Sequence, residues 1–239
     1  RGGMYSLAEA ASRLARELGV RLHLRSPVER VLVSKGRAEG LRVGGEALPF
    51  DAVLVNADLP YAYRELLGGE ADGDFRLRGR ARLEYTASAY MLYLGLGRRA
   101  GGLLHHNFFL SARYRENFED IFDRRVLPED PSFYVAAPSR TDPGMAPEGG
   151  DSLLVLVPVP HLGGGVDWGR EEAGFRERVY GLLEERCGID RGSVLYEKVR
   201  TPEDWREEYN LEKGAAFGLG HGILQVGYFR PPLASRSVK

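Results

Sequence analysis

Val28-Glu29-Arg30-Val31-Leu32-Val33 and, downstream, Ala52-Val53-Leu54-Val55-Asn56-Ala57-Asp58 are the two stretches from which the fold is read. The first is rich in β-branched residues. With Ala38 to Val43 and the Gly44-Gly45 turn signal that follows, it reads as short strands joined in a hairpin. The second runs apolar without alternation, as a strand buried on both faces does, and stops at Asn56, Ala57 and Asp58. Hairpin strands followed by an isolated buried strand do not make a repeating strand-helix series, which is the first argument for an α+β fold.

Working outward, Ser6 and Glu9 have the spacing of a capping box. Leu7, Ala11, Leu14, Ala15 and Leu18 then share one helical face until Gly19. Val20, Leu22 and Leu24 alternate as a strand would. After Pro60 a short helix reaches Leu67, and the small, acidic, turn-rich stretch 68–74 marks a loop or hinge, so a boundary falls near residue 70. Beyond it the pattern predicts strands at Glu84 to Leu96, His106 to Leu110, Phe133 to Ala137, Leu153 to Val159 and Val194 to Val199. A helix places Phe118, Ile121 and Phe122 on one face, most simply core. A longer helix from about Arg170 to Cys187 buries Phe175, Val179, Leu182 and Leu183. Thr201 caps a last helix that has Pro202 at its first position. The second part therefore reads as a mixed, largely antiparallel sheet with helices.

Charge and composition narrow the function classes. The 239 residues carry 33 basic and 34 acidic side chains, so no basic field exists to neutralise a nucleic-acid backbone. The single cysteine, Cys187, permits neither an internal disulfide nor a zinc cluster. No apolar run is long enough to span a bilayer. A cytoplasmic location is expected. The chain opens on Arg1-Gly2-Gly3 at the mouth of a helix, and an internal piece of a longer protein is expected from that.

Three motifs are weighed and set aside. Gly95, Gly97 and Ala100 match the dinucleotide pattern, but the residues after them do not start a helix that would meet a pyrophosphate. Gly150-Asp151-Ser152-Leu153 matches an esterase nucleophile block without the Asp-x-x-His it needs, so Ser152 is read as the start of a strand. His105 and His106, as neighbours on a strand, would face opposite ways and share no ion; no metal site is expected.

Several segments, in order, resemble the bacterial-type phytoene desaturase family of FAD-dependent oxidoreductases. They are Gly2-Gly3-Met4 with Val28-Glu29-Arg30-Val31, then Val55-Asn56-Ala57-Asp58 with Tyr63-Arg64, then Tyr93-Leu94-Gly95 and His105-His106-Asn107. The stretch Pro138-Ser139-Arg140-Thr141-Asp142-Pro143 is the most specific, and Gly214-Ala215-Ala216-Phe217-Gly218-Leu219, Gln225 and Tyr228-Phe229-Arg230-Pro231 continue the match. The resemblance implies a partial, Rossmann-like FAD-binding domain over residues 1–70 joined to a substrate-binding domain over 71–239. The family's glycine-rich phosphate loop and closing segment lie outside the matched stretches, so FAD binding by this piece alone is doubted.

The same resemblance implies dehydrogenation of a hydrophobic isoprenoid, with a membrane surface as the parent protein's partner and a peripheral place on the membrane's inner face. Val28, Asn56, Ala57 and Asp58 are the implied cofactor neighbours, although Asn56 and Asp58 read equally well as caps of the next helix. Arg140, Tyr209, Phe217, Tyr228 and Phe229 are the implied substrate-side residues. For Arg140 the open alternative is a loop anchor, and for the aromatics it is core. No catalytic base is assigned. A flavin amine oxidase-like enzyme, a carotenoid isomerase or oxygenase, and a non-catalytic binding module stay open as alternatives.

Overall fold

The computed structural model describes residues 2–71, 83–227, 230, 234–235 and 237–239. Two antiparallel sheets organise them. The first is a meander of β1 (Val28–Ser34), β2 (Arg37–Val43) and β3 (Glu46–Pro49). Its turns are two-residue loops at Lys35-Gly36 and Gly44-Gly45, all four with positive φ. That backbone matches the right-handed twist of paired strands, and it is why glycines stand there.

The N-terminal helix α1 (Tyr5–Glu17) forms, but not by the expected capping box. Met4 is the N-cap, and Ser6, already inside the first turn, donates to the Gly3 carbonyl. Leu7, Leu14 and Leu18 are exposed. Two other expectations are corrected. Val20 to Leu24 is irregular rather than a strand, its apolar side chains exposed and its course ended by a left-handed Arg25. Residues 52–55 lie outside any sheet, and Leu54 is 96% exposed. The apolar run is there; what is lacking, among the described residues, is a strand beside it.

Helix α2 starts at Leu59–Tyr61 and continues as a π turn, Ala62–Leu66. Its Ala62, Tyr63 and Leu66 are buried, and the π turn packs on β1.

The second sheet has the order β5-β6-β7-β4-β8, where β4 is Ser88–Leu96, β5 His106–Phe109, β6 Phe133–Ala136, β7 Asp151–Val159 and β8 Val194–Arg200. Every described pairing in it is antiparallel. Helix α3 (Tyr114–Glu119) lies between β5 and β6 in sequence, and the long helix α4 (Trp168–Cys187) covers one sheet face. At the centre of that core Tyr90 stacks on Trp168 at 5.7 Å and meets Phe175 edge-on at 5.2 Å. Leu92, Val155, Val157, Val179 and Leu183 are fully buried around it. Each such side chain contributes about 1.5–3 kcal/mol of burial, so this one face carries most of the unit's stability. Cys187 lies in the same core, its thiol pushed up to about 12 by burial, which makes it structural rather than reactive.

The last helix α5 (Pro202–Tyr209) has the full capping box of Thr201 and Asp204, and it ends on a left-handed Asn210. Trp205 of α5 donates from Nε1 to the Ala89 carbonyl at 2.7 Å, which fastens the helix to β4.

Candidate functional site

Strands β4 and β7 are apolar at odd and even positions alike, yet only one of their faces meets α4. Strand register defines the other face. Phe108, Tyr134, Leu156 and Met91 stand opposite one another across β5, β6, β7 and β4, and Ala136, Leu154 and Tyr93 form the next row. Tyr134, Leu154, Leu156 and Tyr93 are part-exposed and Phe108 is 73% exposed, whereas Met91, at the β4 end of the first row, is buried. Lys198 and Arg200 of β8 border these rows on one side and His106 of β5 on the other. At the α5 end, Trp205 and Tyr209 lie with rings 5.3 Å apart. The Tyr93 hydroxyl is held above its ordinary pKa by burial and, secondly, by the nearby Tyr209. The result is a broad apolar and aromatic floor with charge only at its margins. A surface of this kind binds a hydrocarbon by shape and area, having few polar groups to orient a polar ligand.

A second concavity, a cleft of about 670 Å³, opens beside residues 51–57. Val31, Ala38, Val53, Val55, Asn56 and Ala57 are among its walls. Ala234, Ser235, Val238 and Lys239 line it as well, Lys239 pairing with the backbone of Gly36 and Ala38, and the small apolar side chains of the wall suit a flat heteroaromatic ring.

The implied site residues divide between these two places. Asn56 and Ala57 line the cleft, while Val28 pairs with Val43 at the far end of β1 and Val31 takes the wall position. Asp58 turns away from the cleft, its carboxylate accepting from the Glu212 amide at 3.1 Å, and burial raises its pKa. Tyr209 stands at the rim of the sheet floor. Phe217 is 54% exposed, in a segment that pairs with residues 84–86 through Thr86, Gly218, Tyr85 and Leu219. The buried Gln225 closes that pairing by bonding both backbone groups of Glu84. Tyr228 and Phe229 lie outside the described residues.

Arg140 is tied into the protein on several sides. Its guanidinium donates to the Leu103 and Ala100 carbonyls and forms a two-armed pair with Asp151, which is fully buried and also accepts from Ser139 and the Ala100 amide. Ala100 and Asp151, prominent in two of the discarded motifs, are thereby parts of one loop anchor. No helix follows Gly97, in keeping with the turn reading. His105 and His106 do not diverge as expected. His105 precedes β5 instead of lying in it, and the two rings sit 4.2 Å apart, His105 bonded to Thr141 and His106 to Tyr134. Among the described residues no group of three metal-ligating side chains occurs.

Sequence reasoning missed Tyr93, Tyr134, Leu154 and Leu156. The signal was present in the two-sided apolarity of β4 and β7, set against a single long helix available to cover them.

The fold matches that of an oxidoreductase from Methanosarcina mazei, with a TM-score of 0.56 at 20% identity, over 83% of this chain and 42% of that one. A family model described as flavin containing amine oxidoreductase matches residues 1–227, and the chain belongs to that family. Among curated proteins it is 47% identical over 242 residues to a zeta-carotene-forming phytoene desaturase of Myxococcus xanthus, and 43% identical over 244 residues to an all-trans-zeta-carotene desaturase of the same organism. Both matches cover 100% of this chain and 46% of the relative. A 4,4'-diapophytoene desaturase of Methylomonas is 35% identical over 97% of the chain. The chain thus spans about half the length of the curated relatives it matches.

Proposed function

We propose that the protein carrying this chain is an FAD-dependent carotenoid desaturase, and that the uncovered face of the five-stranded sheet is the wall on which its hydrocarbon substrate lies. The observation that carries the reading is that face: Phe108, Tyr134 and Leu156 in one row and Ala136, Leu154 and Tyr93 in the next keep exposed surface, with charge confined to the edges. The names of the relatives, all desaturases of carotenoid precursors, supply the substrate class.

Residues 1–70 belong in this reading to the cofactor side and residues 71–239 to the substrate side. Val31, Asn56 and Ala57 hold part of the cofactor in the cleft beside residues 51–57. When bound, the flavin would take up a hydride from one carbon of a saturated carbon-carbon bond, the neighbouring carbon giving its proton to a base or water as the double bond forms. The protein's part is positional. An apolar wall lets a long chain slide until one bond faces the cofactor, and it excludes the water that would compete there. Tyr93, Tyr134 and Tyr209 keep the wall aromatic and rigid.

A substrate dissolved in lipid implies a protein that docks peripherally on a membrane. Tyr114, Phe118 and Phe122 are exposed aromatics of the kind that settle at a lipid interface. Among the described residues no helix is long and apolar enough to cross a bilayer. Flotation of the full-length protein with liposomes is the check, and complete recovery in the lipid-free fraction contradicts docking. The activity itself is tested by incubating purified full-length protein with phytoene in liposomes. Flavin absorbance and a product with a longer conjugated system are expected; a colourless protein that leaves phytoene unchanged refutes the assignment.

A further inference from the structure

Helix α2 packs on β1 through its π turn, and one residue from the segment after α5 holds it at two points. Asp58, immediately before α2, accepts the backbone amide of Glu212 at 3.1 Å, and the Glu212 carboxylate pairs with Arg64 on the π turn of the same helix. Glu212 is held in turn by its neighbours. Lys213 adopts a left-handed backbone, unusual for a side chain of its kind, and lays its ammonium 4.4 Å over the Tyr85 ring. Gly214, also left-handed, sits so close to the Pro202 carbonyl that a Cβ would lie 2.0 Å from it, and its own carbonyl accepts the buried Ser88 hydroxyl at the start of β4. The strained backbone of Lys213 persists only where surrounding contacts fix it, and such strain gathers where geometry matters.

We propose that Glu212 is a positioning residue: its two-point grip on Asp58 and Arg64 sets the distance and angle between the cofactor-side segment, residues 56–58, and the apolar floor of the sheet. Arg64 is about half exposed, and an ion pair so exposed adds little to folding free energy. What it does supply is a directional link, a charge-assisted hydrogen bond from one guanidinium nitrogen to one carboxylate oxygen. The carrier of the grip is also suited to the task, since an irregular π turn is a common place for a helix to be shaped by function rather than by propensity.

The inference rests on the flavin reading above, and the test separates the two. In the full-length protein, flavin content, thermal unfolding and steady-state desaturation are measured for the parent, Glu212→Arg, Arg64→Glu and the double exchange. The single variants are expected to keep their flavin and unfold within a few degrees of the parent, with kcat reduced about tenfold and KM within twofold. The double exchange, which restores the pair with its charges reversed, is expected to recover most of kcat. Glu212→Gln, which keeps the backbone grip on Asp58 and weakens the grip on Arg64, should fall between. Parental kcat in every single variant overturns the proposal, as does a loss of kcat that the double exchange does not repair. A parent protein without flavin overturns the functional reading instead.

Discussion

The two faces of the five-stranded sheet are built from the same strands and nearly the same kinds of residue, yet they are treated oppositely. On one, Tyr90, Leu92, Val155 and Val157 are sealed under α4 with Trp168, Phe175, Val179 and Leu183. On the other, Tyr93, Tyr134, Leu154 and Leu156 keep part of their surface, and Phe108 keeps most of it. The covered face is where the unit gets its stability. Among the described residues the other face leaves apolar surface unsealed, and that surface is what the proposed hydrocarbon site rests on.

Substitutions on the two faces should therefore part ways. Phe175→Ala empties space in the sealed face and is expected to cost about 3–5 kcal/mol in denaturant unfolding; a loss below about 1 kcal/mol would show that the face is not close-packed. Asp151→Ala strands Arg140 among carbonyls at the sheet edge and should cost about 2–4 kcal/mol, discounted for the partial exposure of the arginine. Here Asp151→Asn, which keeps the hydrogen bonds from Ser139 and Ala100, should cost less. Thr201→Ala removes the cap of α5, the helix that brings Trp205 and Tyr209 to the open floor. A loss of about 1 kcal/mol is expected, with turnover of a long hydrocarbon falling alongside. Leu156→Ala should be mildest in stability, under about 1 kcal/mol for a part-exposed side chain. Its signature is a changed KM for substrate or a changed product pattern by chromatography. Equal stability losses at Phe175 and Leu156 would erase the contrast between the faces.

How much of this was legible in the sequence follows the same division. The hairpin, α4 and the capped α5 were readable because their signals are local: paired turn glycines, a long 3.6-residue period, and Thr201 with Pro202. Residues 52–55 read as a buried strand because their apolarity is genuine, but burial depends on neighbours, and the described residues put none beside them. Phe118 and Phe122 read as core from their spacing. The structure instead turns Asn117 and Ile121 inward and leaves the two rings 47% and 46% exposed. A stripe of apolar residues shows that a helix has an apolar side, not which side the fold covers. The sheet floor was missed for the related reason that two-sided apolarity in a strand looks the same whether both faces are packed by protein or one is reserved for a ligand.

The most direct test of the account is photolabelling of the full-length flavoprotein with a diazirine-bearing polyene, followed by peptide mapping. Label on peptides of β4, β6 and β7 at Tyr93, Tyr134, Leu154 and Leu156, competed by phytoene, is the predicted result. Label that avoids this face and gathers elsewhere, for instance along residues 51–57, would contradict it.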